Sequence, residues 1–248
     1  MNFIDMHIHL QDYKANCATD IIAAAVKAGF SRFVNAAVQE SDWEKVASLA
    51  RRYPERIVPA FGLHPWYVRG CLKGWQQRIR AYFAEFPQAL VGECGLDGTR
   101  SAEAEQQSLF AEQIQLATEF ERPLVIHAVR ADWMLSEFWP QMPKVFMFHS
   151  FNGHPDQLRP ILRRDGYVSL GFSVLKNRNF ADIARAIPAD RLLLESDGPY
   201  QSGEKGTESS PLQIPLLLSQ IAAFRREDAM VLAAQIAKNS EEFINGGK

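Results

Sequence analysis

The stretch FIDMHIHL, residues 3–10, decides the fold. Side chains two apart on a strand point to the same face, so Asp5, His7 and His9 line one face and Ile4, Met6 and Ile8 the other. The apolar face packs under covering helices. The opposite face carries two imidazoles one step apart, an arrangement suited to a metal ion.

Working outward, short apolar runs alternate with amphipathic stretches along the whole chain. SRFVNAAV, RIVPAFGLHP, QALVGECGLD, RPLVIHAV, KVFMFHSF, GYVSLGF and RLLLESDGPY read as further strands. Helical segments lie between them. TDIIAAAVKAGF has Thr19 or Asp20 at its start and Gly29 at its end. SDWEKVASLARRY carries Ser41 and Glu44 at capping-box spacing before Pro54. The longest helix starts at Ser101 and is bounded by Pro123, and a closing helical segment from about Pro211 to Phe243 breaks near Arg225–Asp228. Eight strands, each followed by a helix, in a chain of 248 residues predict one domain over 1–248, an α/β protein built as a (β/α)8 TIM barrel, typically about 250 residues long. An open doubly wound sheet is the competing arrangement.

Composition narrows the class. Hydrophobic residues make up 47% and charged residues 23%, with a net charge of -2, so any nucleic acid is held by a local patch or through metal rather than by an overall basic field. Three cysteines, Cys17, Cys71 and Cys94, fit a reducing compartment better than a disulfide framework. No signal-peptide pattern and no membrane-length apolar run is present, so a soluble cytoplasmic protein without membrane association is expected.

The sequence has six histidines. His7, His9, His64, His127 and His149 fall at or just past the carboxyl ends of strands, where a barrel gathers its catalytic groups. Glu93 ends the fourth strand, and Glu195 and Asp197 end the eighth. His154, before Pro155, reads as a helix-start residue, and Cys94 faces the core side of its strand.

The motifs MHIHL, GLHP, VGECGLD, VIHAVR, FHSFNG and LLLESDGPY, in that order, resemble those of the TatD family of metal-dependent deoxyribonucleases in the amidohydrolase superfamily. NSEEFI, residues 239–244, is similar to the family's last helix. The resemblance implies two divalent ions (Mg, Zn or Mn). His7, His9, Glu93 and Asp197 would hold the first, with Glu93 bridging to a second held by His127 and His149. It implies hydrolysis of phosphodiester bonds in DNA, single-stranded or at frayed ends, in the manner of a 3′-5′ exonuclease. A metal-activated water attacks phosphorus in line, and Asp197 takes its proton through a free carboxylate oxygen. Asp197, Glu93 and His64 are the expected catalytic residues. His64, Arg130, Lys176 and Lys205 are the expected substrate contacts, and Asp5 and Glu195 are expected to orient ligand histidines through their second ring nitrogen. The chain departs from the family at the mouth of the site. Gly98 and Thr99 stand where an aromatic residue follows GLD, and the loop after the eighth strand reads GEKGTESSP in place of an Arg-Asn-Glu-Pro-like sequence. A barrel hydrolase of a lactone, amide or small phosphoester is therefore the alternative, and a non-catalytic scaffold the second alternative.

Overall fold

A computed structural model describes residues 2–14, 17–202 and 206–247. In chain order its elements are β1 (Phe3–Ile8), α1 (Ala18–Lys27), β2 (Phe30–Ala36), α2 (Glu40–Arg52), β3 (Ile57–Phe61), α3 (Trp75–Glu85), β4 (Leu90–Asp97) and α4 (Glu103–Glu119). They continue with β5 (Leu124–Val129), α5 (Asp132–Leu135), β6 (Phe146–Phe148), α6 (Leu158–Leu162), β7 (Tyr167–Leu170), α7 (Phe180–Ala186), β8 (Leu192–Leu194), α8 (Ile214–Arg225) and α9 (Ala229–Ile244). The eight strands form one sheet whose order is the chain order, the strand order of a (β/α)8 barrel and not of a doubly wound sheet. The chain divides into two compact units, Met1–Asn35 with His149–Glu242 and Ala36–Phe148 with Phe243–Lys248.

In the first unit β1 is buried along its whole length, as a parallel strand covered on both faces must be. It pairs with β2 through Phe3↔Phe30, Ile4↔Arg32, Asp5↔Phe33 and Ile8↔Asn35. On its other edge the Asp197 N–H donates to the His7 carbonyl at 2.9 Å, and the His9 N–H to the Gly198 carbonyl at 2.7 Å. The segment after β8 is thereby fixed beside the two histidines. β7 pairs with β8 from Val168↔Leu192 to Leu170↔Leu194. Asn239, in the NSEEFI stretch of α9, donates to the carbonyls of Ala189 and Leu192 at 2.7 and 2.9 Å, pinning that helix to the start of β8.

In the second unit β3, β4, β5 and β6 pair in sequence and in parallel. Phe61 of β3 packs against Tyr82, Phe83 and Phe86, at ring-centroid distances of 4.9, 6.4 and 5.9 Å. Two glycines, Gly95 in β4 and Gly62 just after β3, permit close approach of neighbouring strands. A Cβ on Gly95, whose φ is +139°, would meet the His127 carbonyl oxygen at 2.0 Å, and one on Gly62 would lie 2.6 Å from the Gly92 backbone.

Several sequence expectations shift by a residue or two. α2 begins at Glu40 after Gln39 and has no side-chain cap, so the Ser41–Glu44 capping box does not form; Glu44 pairs with Arg51 at 2.6 Å instead. α4 begins at Glu103, because Ala102 takes a left-handed φ of 72° and ends the preceding turn. Gly29 closes α1 with φ 97°, and Arg226 breaks the closing helical segment with φ 57°. His154 caps the short turn Pro155–Gln157, accepting from the Asp156 N–H at 3.3 Å. Cys94 is buried, and burial pushes its thiol well above the usual range. All three cysteines are free. Among the described residues no helix is long and apolar enough to cross a membrane.

Candidate metal centre

The first unit brings together His7, His9 and Asp197. The two Nε2 atoms are 3.1 Å apart, and Asp197 Oδ1 lies 3.8 Å from His7 Nε2 and 3.3 Å from His9 Nε2. All three side chains are buried. Donor atoms about 2.1 Å from a shared ion lie about 3.0 Å apart at octahedral angles and about 3.4 Å apart at tetrahedral ones. Two of the three spacings fall in that range and the His7–Asp197 spacing of 3.8 Å lies just beyond it, so the donor set could hold one divalent ion. His149 stacks on His7, with centroids 4.1 Å apart and an interplanar angle of 23°. Its Nδ1 faces Glu195 Oε1 at 3.3 Å.

Asp5 was expected to orient an imidazole ring, but its partners are different. It accepts from the His7 backbone N–H at 3.3 Å, and from the Ser196 N–H and hydroxyl at 2.9 and 2.6 Å. Ser196, 191 residues away in sequence but beside β1 in the fold, takes up the carboxylate with its N–H and its hydroxyl. Burial raises the Asp5 carboxyl to about 7, against the lowering effect of the Ser196 bonds. Asp197 goes the other way. Burial raises it, but the hydrogen bond from His9 and the nearby His149 and His7 outweigh burial and hold it below the usual carboxylate range. Its Oδ2 accepts from the Gln201 amide at 2.5 Å, and Gln201 in turn accepts from the Ser173 hydroxyl at 2.5 Å. The carboxylate oxygen expected to be free is therefore bonded, a partner that the sequence pattern gave no means to foresee.

The second unit gathers His64, Glu93 and His127. Glu93 Oε1 lies 3.2 Å from His64 Nε2 and 3.1 Å from His127 Nδ1. The Trp66 backbone N–H donates to His64 Nδ1 at 3.1 Å, so the His64 proton sits on Nε2 and points at Glu93. His127 Nε2 faces Asp97 Oδ2 at 3.4 Å. A ring whose two nitrogens both face carboxylates is either a cation, or a ligand in which an ion takes the place of the Nδ1 proton. The buried His, Glu and Asp groups can hold a metal ion.

Asp97 was not singled out as a site residue in the sequence, yet it is the organising carboxylate of this cluster. Oδ2 also accepts from the Trp66 indole at 2.5 Å, and Oδ1 accepts from the Thr99 N–H and hydroxyl at 2.8 and 2.6 Å. Burial opposes the charge, but the bonds from His127, Thr99 and Trp66 win and keep the carboxyl well below the usual range. Two buried glutamines of α4 hold the strand ends that carry the cluster. Gln106 accepts from the Asp97 N–H at 2.8 Å and donates to its carbonyl at 3.2 Å. Gln113 accepts from the Leu63 N–H at 2.8 Å and donates to its carbonyl at 3.0 Å. They are seven residues apart, on one face of the helix. That spacing was the available signal, and two polar residues facing the core were not read as such.

Of the expected substrate contacts, Arg130 and Lys176 are exposed, Arg130 in the left-handed turn after β5 with φ 49°. Lys205 lies outside the described residues.

The model of the TatD-related DNases matches residues 4–245. The chain belongs to this family. Among curated proteins, the 3′-5′ ssDNA/RNA exonuclease TatD of Cronobacter sakazakii is 31% identical over 89% of each chain. The protein of the same name from Erwinia tasmaniensis is 30% identical over 91% of this chain and 92% of its own. Among solved structures, a TatD homologue from Escherichia coli K12 superposes with a TM-score of 0.90 at 25% identity, covering 98% of both chains. TatD kinship over nearly the full length accounts for the strand order and for the placement of histidines and carboxylates at strand ends.

Proposed function

We propose that this protein is a divalent-metal-dependent nuclease that trims single-stranded nucleic acid from the 3′ end. The observation that carries the reading is the donor set of buried histidines and carboxylates at the strand ends of a TatD-family chain. The TatD relatives, named for single-stranded DNA and RNA, support the substrate class. In this reading His7, His9 and Asp197 hold one ion, and Glu93 and His127 belong to a second. Bound divalent ions would make water easier to deprotonate and neutralise phosphate charge. The chain's own residues do the rest. Glu195 and Asp97 fix the ring orientation of His149 and His127. His64 points its Nε2 toward Glu93 at 3.2 Å. Asp197, ionised at neutral pH, receives the proton of the attacking water, while Gln201 holds its Oδ2 in place.

The test is a cleavage assay on metal-stripped protein reloaded with Mg, Mn or Zn. Substrates are 5′-labelled single-stranded DNA and RNA, with lactones and N-acyl amino acids alongside. A ladder shortening from the 3′ end, only with metal, is expected. Intact oligonucleotides with a hydrolysed lactone would instead point to a small-molecule hydrolase, and absence of any bindable divalent ion to a scaffold. Asp197→Asn is expected to lose turnover far more than oligonucleotide binding.

A further inference from the structure

Trp66 is an indole on the surface, 52% exposed, yet it is fixed at every polar point. Its backbone N–H is bonded to His64 and its ring N–H to Asp97. The His64 ring meets it edge-on at 5.2 Å and 89°. The turn after β4 brings Arg100 over it. The Arg100 N–H closes that turn on the Asp97 carbonyl at 3.1 Å, and the guanidinium carbon sits 4.2 Å from the indole centroid. Three arginines of this unit are neutralised, Arg51 by Glu44 and Glu85, Arg78 by Glu40 and Arg80 by Glu119. Arg100, among the described residues, has no carboxylate partner and lies on the aromatic face alone. A rigid, half-exposed indole with an unneutralised guanidinium beside it, bonded to the same carboxylate as His127, matches what single-stranded nucleic acid offers. Bases present flat π-faces, and each is followed by a phosphate.

We infer that Trp66 and Arg100 form a nucleotide-binding platform next to the Glu93 cluster, the indole stacking on one base of the single-stranded substrate and the guanidinium taking the adjacent phosphate. This rests on the nuclease reading and adds to it the residues that grip the strand. Stacking tolerates any base, so the platform accepts DNA and RNA of mixed sequence. Trp66 comes from the turn after β3 and Arg100 from the turn after β4.

The experiment compares kcat/KM for an unmodified single-stranded oligonucleotide and for a series in which one 3′-proximal nucleotide at a time is replaced by an abasic tetrahydrofuran residue. In the wild-type protein one such replacement is expected to cost about tenfold, within the range of base–aromatic stacking. In Trp66→Leu the same replacement is expected to cost less than twofold, because the partner of the base is already gone. Trp66→Phe keeps a stacking face without the Asp97 bond and is expected to retain most of the discrimination. Arg100→Gln is expected to flatten the dependence of log affinity on log salt by about 0.7, the contribution of one phosphate contact on a single strand. If base deletion costs Trp66→Leu as much as the wild type, Trp66 only positions Asp97 and the platform is overturned, whatever the overall activity. Wild-type protein inert to the unmodified oligonucleotide with every metal overturns the nuclease reading and the platform with it.

Discussion

Gln113→Glu tests how the strand end bearing His64 is held. Gln113 is fully buried and uses both ends of its amide on Leu63, accepting from its N–H and donating to its carbonyl; the amide nitrogen also reaches the Leu109 carbonyl at 3.4 Å. Glutamate has the same shape. Its protonated form accepts from Leu63 N–H and donates to the Leu63 carbonyl as the amide does. Its ionised form puts a buried negative oxygen against two carbonyl oxygens. Burial and those carbonyls therefore raise its pKa in the folded state above that in the unfolded chain. A raised folded pKa means that stability is fully present below the unfolded pKa and is lost as pH rises toward the folded one. While the group titrates, stability relative to the wild type falls by up to about 1.4 kcal/mol per pH unit, since one proton is at issue. Over two pH units that is up to about 2.7 kcal/mol, or roughly 5–11 °C in melting temperature for a chain of this size. The assay is thermal melting of variant and wild type side by side from pH 5 to pH 8. The variant is expected to approach the wild type at the acid end and to fall progressively below it toward pH 8. A difference in melting temperature that stays constant across this range would refute the two-ended clasp.

Chelation followed by dialysis is expected to lower the melting temperature, and divalent ion at a hundredfold excess over its Kd to restore about 2.7 kcal/mol; melting that ignores both treatments would count against the buried donor set as a metal centre. Glu195→Gln is expected to weaken divalent-ion binding by about 10- to 100-fold, measured by calorimetry, because His149 Nδ1 loses its carboxylate; unaltered affinity would show that Glu195 does not orient the ring. Phe61→Ala removes a fully buried ring from the Tyr82, Phe83 and Phe86 cluster and is expected to cost about 3–5 kcal/mol in denaturant unfolding, with a cost under 1 kcal/mol contradicting the packing described.

The alternation of strand and helix, the position of the histidines at strand ends and the burial of Cys94 were all legible because they depend on local periodicity and on residue type. Helix starts were less so. The Ser41–Glu44 pair has the spacing of a capping box, but the helix starts at Glu40 and Glu44 pairs with Arg51, two turns on. Asp5 illustrates the same limit at the site. Its face of β1 follows from the sequence, whereas its partner, Ser196, is 191 residues away and is chosen by strand pairing.

By itself, the sequence determined the fold class, the family and the histidines and carboxylates that could hold a metal ion, since each is carried by residue identity and short spacing. Only the tertiary structure decided which second atoms those groups meet. It turned Asp97 from a motif residue into the anchor of His127, Trp66 and Thr99, gave Asp197 Oδ2 to Gln201, and set Gln106 and Gln113 as clasps on two strand ends. The physical reason is that a hydrogen bond is fixed to within a few tenths of an ångström by the packing of elements distant in sequence, a precision that periodicity does not encode.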